Sequence, residues 1–238
     1  MELESPNEKN ERPSRVELGI ISEDCFEEQL KKKLFTKHPS DWKDAPAKIS
    51  EDKLEILNRS IMERWEEHLM KELAEIATSK GGTILEVGFG LGISAGYIQQ
   101  HEIVEHFIIE ANSDVFRKLE EFARQAKHKV TPIFGLWQEV VDSLPSESFD
   151  GILFDPAILS EDDYKYGRTD FVKHAYRLLK KGGVYTEYTA MTELTPAHSQ
   201  FLNKLGFTEI SAKLCSVNPP KSCPYWDKPV MIAPTIIK

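Results

Sequence analysis

Thr83-Ile84-Leu85-Glu86-Val87-Gly88-Phe89-Gly90-Leu91-Gly92 is the stretch on which the fold turns. A short apolar run ends in three alternating glycines, and Ile93-Ser94-Ala95-Gly96-Tyr97-Ile98 then takes up a helical pattern. Glycines at that point let a strand turn tightly into a helix and leave bare backbone for a ligand. Downstream the same alternation repeats. EHFIIEA, KVTPIFG, FDGILFD and GGVYTEY read as strands, and SDVFRKLEEFARQA, WQEVVDSL and DFVKHAYRLLKK read as helices between them. Strands separated by helices at this spacing imply right-handed crossovers and a parallel sheet with helices on both faces. FTEISAKLCSV and PVMIAPTII, joined by NPPKSCPYWDK, read as an antiparallel pair that completes the sheet.

Upstream, a helix from about Ser50 to Lys80 is expected, halted by Gly81-Gly82. Its stripe would be Leu54, Leu57, Ile61, Trp65, Leu69, Leu73 and Ile76, with Asn58-Arg59-Ser60 as the point where it could break. Glu23 to Phe35 predicts a short amphipathic helix, with Phe26, Leu30 and Leu34 on one side and acids leading lysines along the dipole. The expected organisation is a disordered stretch over 1–15, a helical cap over 16–80 and a ligand-binding α/β domain over 81–238.

The whole chain has 238 residues, 40% hydrophobic, enough for one sizeable core. Its formal charge of -9 argues against a partner held by its phosphate backbone and favours a small or cationic one. No stretch approaches the ~18 apolar residues of a membrane span, and residues 1–15 hold no apolar leader. Three cysteines form neither a disulfide framework nor a zinc box, so a cytoplasmic protein without a metal is expected.

The ligand can be narrowed further. Glu110 ends the second strand, where an acid accepts hydrogen bonds from both hydroxyls of a ribose. The third glycine comes one residue earlier than in the dinucleotide fingerprint, and an acid, Glu86, precedes the turn. That spacing favours S-adenosyl-L-methionine, cationic and free of phosphate, over a nicotinamide dinucleotide without excluding the latter. Gly135, Leu136 and Trp137 follow the third strand, where the base would sit; Trp137 serves core packing equally well. Asp155 ends the fourth strand, at the crevice where open sheets bind ligands. Met62, Glu66 and Met70, four residues apart, would share one side of the long helix; they could bring a second carboxylate to the same cleft, although periodicity alone favours a solvated glutamate at the helix margin.

Several runs carry a more specific signal. Met62-Glu63-Arg64-Trp65-Glu66, Ser79-Lys80-Gly81-Gly82, Leu85-Glu86-Val87-Gly88-Phe89-Gly90, Ile108-Ile109-Glu110-Ala111-Asn112, Gly135-Leu136-Trp137, Phe149 to Asp155 and His174 to Leu179 resemble the guanidinoacetate N-methyltransferase family. The likeness spans about residues 42 to 186 and returns at Asn218-Pro219-Pro220 and Pro229 to Ile232. It implies a seven-stranded, Rossmann-like class I methyltransferase sheet and S-adenosyl-L-methionine as cofactor, leaving S-adenosyl-L-homocysteine. By the same resemblance Trp42, Met62 and Met70 enclose the cofactor. Glu86, Gly88, Gly90, Gly92, Glu110, Ala111, Gly135, Leu136, Trp137 and Asp155 bind it. Glu66 and Asp155 grip a guanidinium; apart from the resemblance, Tyr188, Thr189 and Ala190 are candidates to meet the rest of the substrate.

Two departures stand out. Pro156-Ala157 replaces a threonine-tyrosine turn, and Glu187 to Leu194 replaces a longer segment whose backbone holds the substrate carboxylate in the family. The methyl-transfer end is retained and the distal end rebuilt. The expected reaction is therefore methylation of a small guanidino compound by a monomer or homodimer. Arginine δ-N-methylation, or methylation of another cationic amine or cyclic guanidine, is the alternative; a silent cofactor-binding protein ranks below both.

Overall fold

The computed structural model describes residues 12–31, 35–36 and 38–238. A helix α1 (Glu23–Lys31) comes first, then a three-stranded antiparallel sheet of β1 (Ala47–Ile49), β2 (Lys53–Ile56) and β3 (Arg59–Glu63). Next come α2 (Glu67–Ala77), β4 (Thr83–Val87), α3 (Ile93–Ile98), β5 (Glu105–Glu110), α4 (Ser113–Gln125), β6 (Lys129–Phe134), α5 (Trp137–Val140) and β7 (Phe149–Phe154). The chain closes with α6 (Arg168–Leu178), β8 (Leu179–Glu187), α7 (Pro196–Leu205), β9 (Glu209–Ser216) and β10 (Val230–Ile237).

Seven strands form one sheet in the order β6-β5-β4-β7-β8-β10-β9. β4 to β8 run parallel, and β10 is antiparallel to both β8 and β9. Consecutive residues of the inner strands go to opposite faces, and both faces are covered. Ile84, Ile108, Leu153, Val184 and Met231 join the core beneath α2, α3 and α4. Leu85, Ile109, Ile152, Tyr185 and Ile232 join the core beneath α5, α6 and α7. A strand buried on both sides has no polar face, which is why these segments read as unbroken apolar runs.

The structure overturns the single helix expected over Ser50 to Lys80. Its first half is the β2–β3 hairpin, turned through Leu57 and Asn58 at φ 53° and 59°. That left-handed pair makes the kind of two-residue turn that matches strand twist. Leu54 and Ile56 are buried two residues apart while Leu57 is 44% exposed, so the true period was two. Only Glu67–Ala77 is α-helical, entered through a 3₁₀ turn at Arg64–Glu66.

Other departures are smaller. Of the disorder expected over 1–15, residues 1–11 lie outside the described part, whereas 12–15 are tied down. Arg12 bridges Asp162 and Asp170 at 2.7 and 2.6 Å, and the Arg15 amide donates to the Lys165 carbonyl at 2.9 Å. Phe26 of α1 is buried and stacks on Tyr164 at 5.4 Å; the Leu30 side chain and Leu34 lie outside the described part. α7 was not anticipated, although its signals are present. Thr195 caps it by accepting from the His198 amide at 3.1 Å, Pro196 opens it and Gly206 ends it at φ 105°.

Candidate active site

A cavity of about 740 Å³ opens at the carboxyl ends of β4, β5 and β7, where the strand order reverses. Its floor is the glycine turn. Gly88 stands at φ 93°, and a Cβ there would overlap the Asp155 carbonyl, so only glycine lets the end of β7 cross this closely. Gly90, at φ 56°, leaves room for the Met62 sulfur, which also accepts from the Leu91 amide at 3.3 Å.

Glu110 lines the same cavity and is 8% exposed. Its Oε2 accepts from the Phe89 amide at 3.0 Å and its Oε1 from the Asn112 amide at 2.7 Å. Burial nevertheless raises its carboxyl above the usual range. Asn112, buried and overlooked in the sequence, ties the wall together. Its amide donates to the carbonyls of Trp42 and Ala45 at 2.9 and 2.8 Å, while its oxygen caps α4 through Asp114 and Val115. Trp42 is thereby set over the end of β5.

Glu66 and Asp155 also line the cavity. Glu66, in the 3₁₀ turn, is 3% exposed and accepts on Oε1 from the Tyr225 hydroxyl at 2.6 Å and the Glu63 amide at 3.0 Å. Burial outweighs those bonds and pushes its carboxyl up to about 7. Asp155 follows β7, its amide donating to the Val87 carbonyl at 2.9 Å. Burial, then the negative charge of Glu66, raise it well above the carboxylate range, and Arg168 opposes them. The Tyr188 phenol feels both acids and is likewise raised, first by burial. Acids held high by burial would be relieved by a cation between them.

Of the residues expected at a site, Trp42, Met62, Glu66, Gly88, Gly90, Glu110, Ala111, Gly135, Leu136, Trp137, Asp155, Tyr188 and Ala190 line this one cavity. Trp137 also packs edge-on against Phe154 and Phe171 at 5.7 and 5.3 Å, so it belongs to core and wall together.

Four residues stand outside the cavity's lining. Met70 is on α2, fully buried in the core, because the helix that was to align it with Met62 does not exist. Glu86 is sealed within the sheet, where Ser94 donates to one oxygen and His106 Nε2 stands 3.0 Å from the other. Gly92 begins α3 at φ 72°, against the Phe89 ring. The Thr189 hydroxyl turns away to the Ile232 carbonyl at 3.3 Å.

Residues not foreseen also line the site: Tyr225 and Trp226 from the loop between β9 and β10, Arg59, Asp163 and Arg168. Two adjacent aromatics inside the polar loop NPPKSCPYWDK were the one sequence signal for the first pair.

Comparison with known proteins now adds to this geometry. The family model described as guanidinoacetate N-methyltransferase matches residues 36–238. Protein arginine N-methyltransferase 2 of Yarrowia lipolytica is 32% identical over 142 residues, 56% of this chain and 29% of that protein. The protein of that name from Candida glabrata is 32% identical over 126 residues, 49% and 31% of the respective chains. The match thus spans about three-tenths of these curated relatives. Among solved structures, spermidine synthase from Thermotoga maritima is similar with a TM-score of 0.58 at 13% identity, over 81% of this chain and 71% of that one. M. jannaschii TYW2 in complex with AdoMet gives 0.52 at 15%, over 82% and 85%. Burkholderia thailandensis 1,6-didemethyltoxoflavin-N1-methyltransferase, solved with S-adenosylhomocysteine, gives 0.52 at 14%, over 73% and 79%. At such identities the likeness concerns the fold.

The sheet order and the crevice at its reversal are those of the class I methyltransferase fold. Within that class, the chain belongs to the guanidinoacetate N-methyltransferase family. Among the described residues no helix is long and apolar enough to cross a membrane.

Proposed function

We propose that the protein methylates a nitrogen of a small guanidino compound, with Glu66 and Asp155 as the clamp and Asp155 as the proton acceptor. The observation that carries this reading is that Glu66 and Asp155 line one cavity at the carboxyl ends of the strands, where burial comes first in raising both and the charge of Glu66 raises Asp155 further.

The residues present fit the cofactor. Glu110 lines the cavity at the end of β5, its oxygens held by the Phe89 and Asn112 amides, at the place where a carboxylate would accept from a ribose hydroxyl. Gly88, Gly90 and Gly135 offer uncovered backbone, and Trp42, Met62, Ala111, Leu136 and Trp137 supply apolar walls. When bound, the cofactor supplies a methyl already activated by its sulfonium.

A guanidinium is protonated at physiological pH and is then a poor nucleophile. Paired N–H···O bonds to Glu66 and Asp155 would hold its plane in one orientation and lower both carboxyls into their ionised range. As the nitrogen takes the methyl it grows more acidic, and its proton passes to Asp155, ionised beside the bound cation. Tyr225 keeps Glu66 aimed by its hydrogen bond. Alignment of this kind is worth ~7–11 kcal/mol.

Arginine is the second reading, favoured by the relatives named protein arginine N-methyltransferase 2. Among the described residues Cys215 and Cys223 are free thiols, which supports a reducing, cytoplasmic setting. Residues before β4 serve as the cap, since Trp42, Met62 and Glu66 all come from them. Mass spectrometry of products from guanidinoacetate, arginine, agmatine and a cyclic guanidine tests the proposal. Cofactor binding without transfer to any of these nitrogens would defeat it.

A further inference from the structure

The same cavity carries positive charge as well. Arg59, Arg168 and Arg15 line it, and each lies within the field of Asp163. Asp163 has bonds of its own. It accepts from the Leu159 amide at 3.0 Å and from Gln138 at 3.3 Å, and burial pushes its carboxyl up to about 6.

Arg59 and Arg168 have N–H groups still to place. Arg59 Nη2 donates to the Ile158 carbonyl at 2.8 Å and the guanidinium lies 5.8 Å from the Trp42 ring, while Nη1 is enclosed without a partner among the described residues. Arg168 is 8% exposed; Nη1 stands 3.4 Å from Glu187, whose same oxygen also accepts from Tyr185 at 2.8 Å. Its Nε is enclosed and without a partner among the described residues. The two arginines bracket one turn: Arg168 lines a small cleft with Pro156, Ile158 and Asp163, and Arg59 holds the Ile158 carbonyl. Buried donors left unpaired are costly, and both guanidiniums line the main cavity, where a bound anion would pair them.

We infer that Arg59 and Arg168 form an anion subsite, and that the substrate is a small zwitterion whose carboxylate they hold while Glu66 and Asp155 hold its cationic nitrogen. This rests on the function proposed above and narrows it. The resemblance implies a backbone segment for that task; here the segment after β8 is shorter and two side chains stand in its stead. A guanidine whose carboxylate is blocked, as in a peptide, is then a poor ligand.

Calorimetry on the full chain saturated with S-adenosyl-L-homocysteine tests this, with arginine against argininamide and guanidinoacetate against methylguanidine. The carboxylate-bearing member of at least one pair should bind ~10–100-fold tighter, the span of one or two charged hydrogen bonds. Arg59→Met should bring that ratio to within about 2-fold while S-adenosyl-L-homocysteine binds as before, and Arg59→Lys should restore part of it. Arg168→Met strands Glu187, so Arg168→Met with Glu187→Gln serves as the second variant.

Equal binding within both pairs overturns the subsite and leaves the guanidine reading standing. Binding of no guanidine at all overturns both. A variant that weakens S-adenosyl-L-homocysteine instead assigns the arginines to the cofactor and overturns the inference, as does a preference that survives in both variants.

Discussion

The Tyr225 hydroxyl donates to Glu66 Oε1 across 2.6 Å and joins the loop between β9 and β10 to the turn that follows β3. Those residues are 159 positions apart, and the bond aims one carboxylate into the cavity. Tyr225→Phe removes the donor and leaves the ring stacked on Trp65. Loss of a hydrogen bond to a charged acceptor is worth ~1.5–3 kcal/mol, so kcat/KM should fall ~10–100-fold with the fold intact. Steady-state kinetics beside a thermal melt check this; an unchanged kcat/KM would free Glu66 from dependence on Tyr225.

Asp155→Asn keeps the shape of the side chain and loses the proton acceptor. Turnover should drop ~10²–10⁴-fold, while the affinity for S-adenosyl-L-methionine stays within about 3-fold. Single-turnover kinetics with parallel cofactor titration separates the two quantities.

Stability should follow pH through Glu66. Its carboxyl is raised from 4.5 to about 7 in the folded chain, so the protonated form is the one the fold prefers. The contribution is fully present below pH 4.5 and is lost as pH rises through 7. Glu66→Gln mimics the protonated acid. It should raise the melting temperature of the ligand-free protein at pH 8 and change it little at pH 4. Melts across that range check the sign, and a guanidine ligand should erase the gain.

Asn112→Ala breaks four hydrogen bonds at once, two to the Trp42 and Ala45 carbonyls and two that cap α4. With ~1 kcal/mol for each and a cap worth about the same, a loss of ~2–4 kcal/mol is expected. Cofactor affinity should fall too, because Trp42 is no longer fixed. Chemical denaturation and calorimetry report both, and a stable variant with weak binding would isolate the second effect.

The α/β core was open to reading because each inner strand is apolar on both faces and each crossover helix has its own polar margin. Glu110 and Asp155 could be found for a related reason: strand ends are fixed addresses in such a sheet. Around Glu66 the same reasoning failed. Leu54, Leu57, Ile61 and Trp65 satisfy a helical period, while Leu54, Ile56 and Met62 satisfy the hairpin that exists, and no local rule separates them. The left-handed Leu57-Asn58 pair made the difference, and leucine is a poor advertisement for such a turn.

From the order of its residues alone, this chain is committed to a doubly wound sheet, a glycine turn and two acids at strand ends, since these rest on backbone sterics and short-range periodicity. Only the tertiary structure decided that Glu86 looks inward to His106, that Tyr225 reaches Glu66, and that Arg59 and Arg168 each border the turn at Ile158. Those are contacts between distant segments. Their energy comes from enclosure away from water, and enclosure is a property of the assembled molecule.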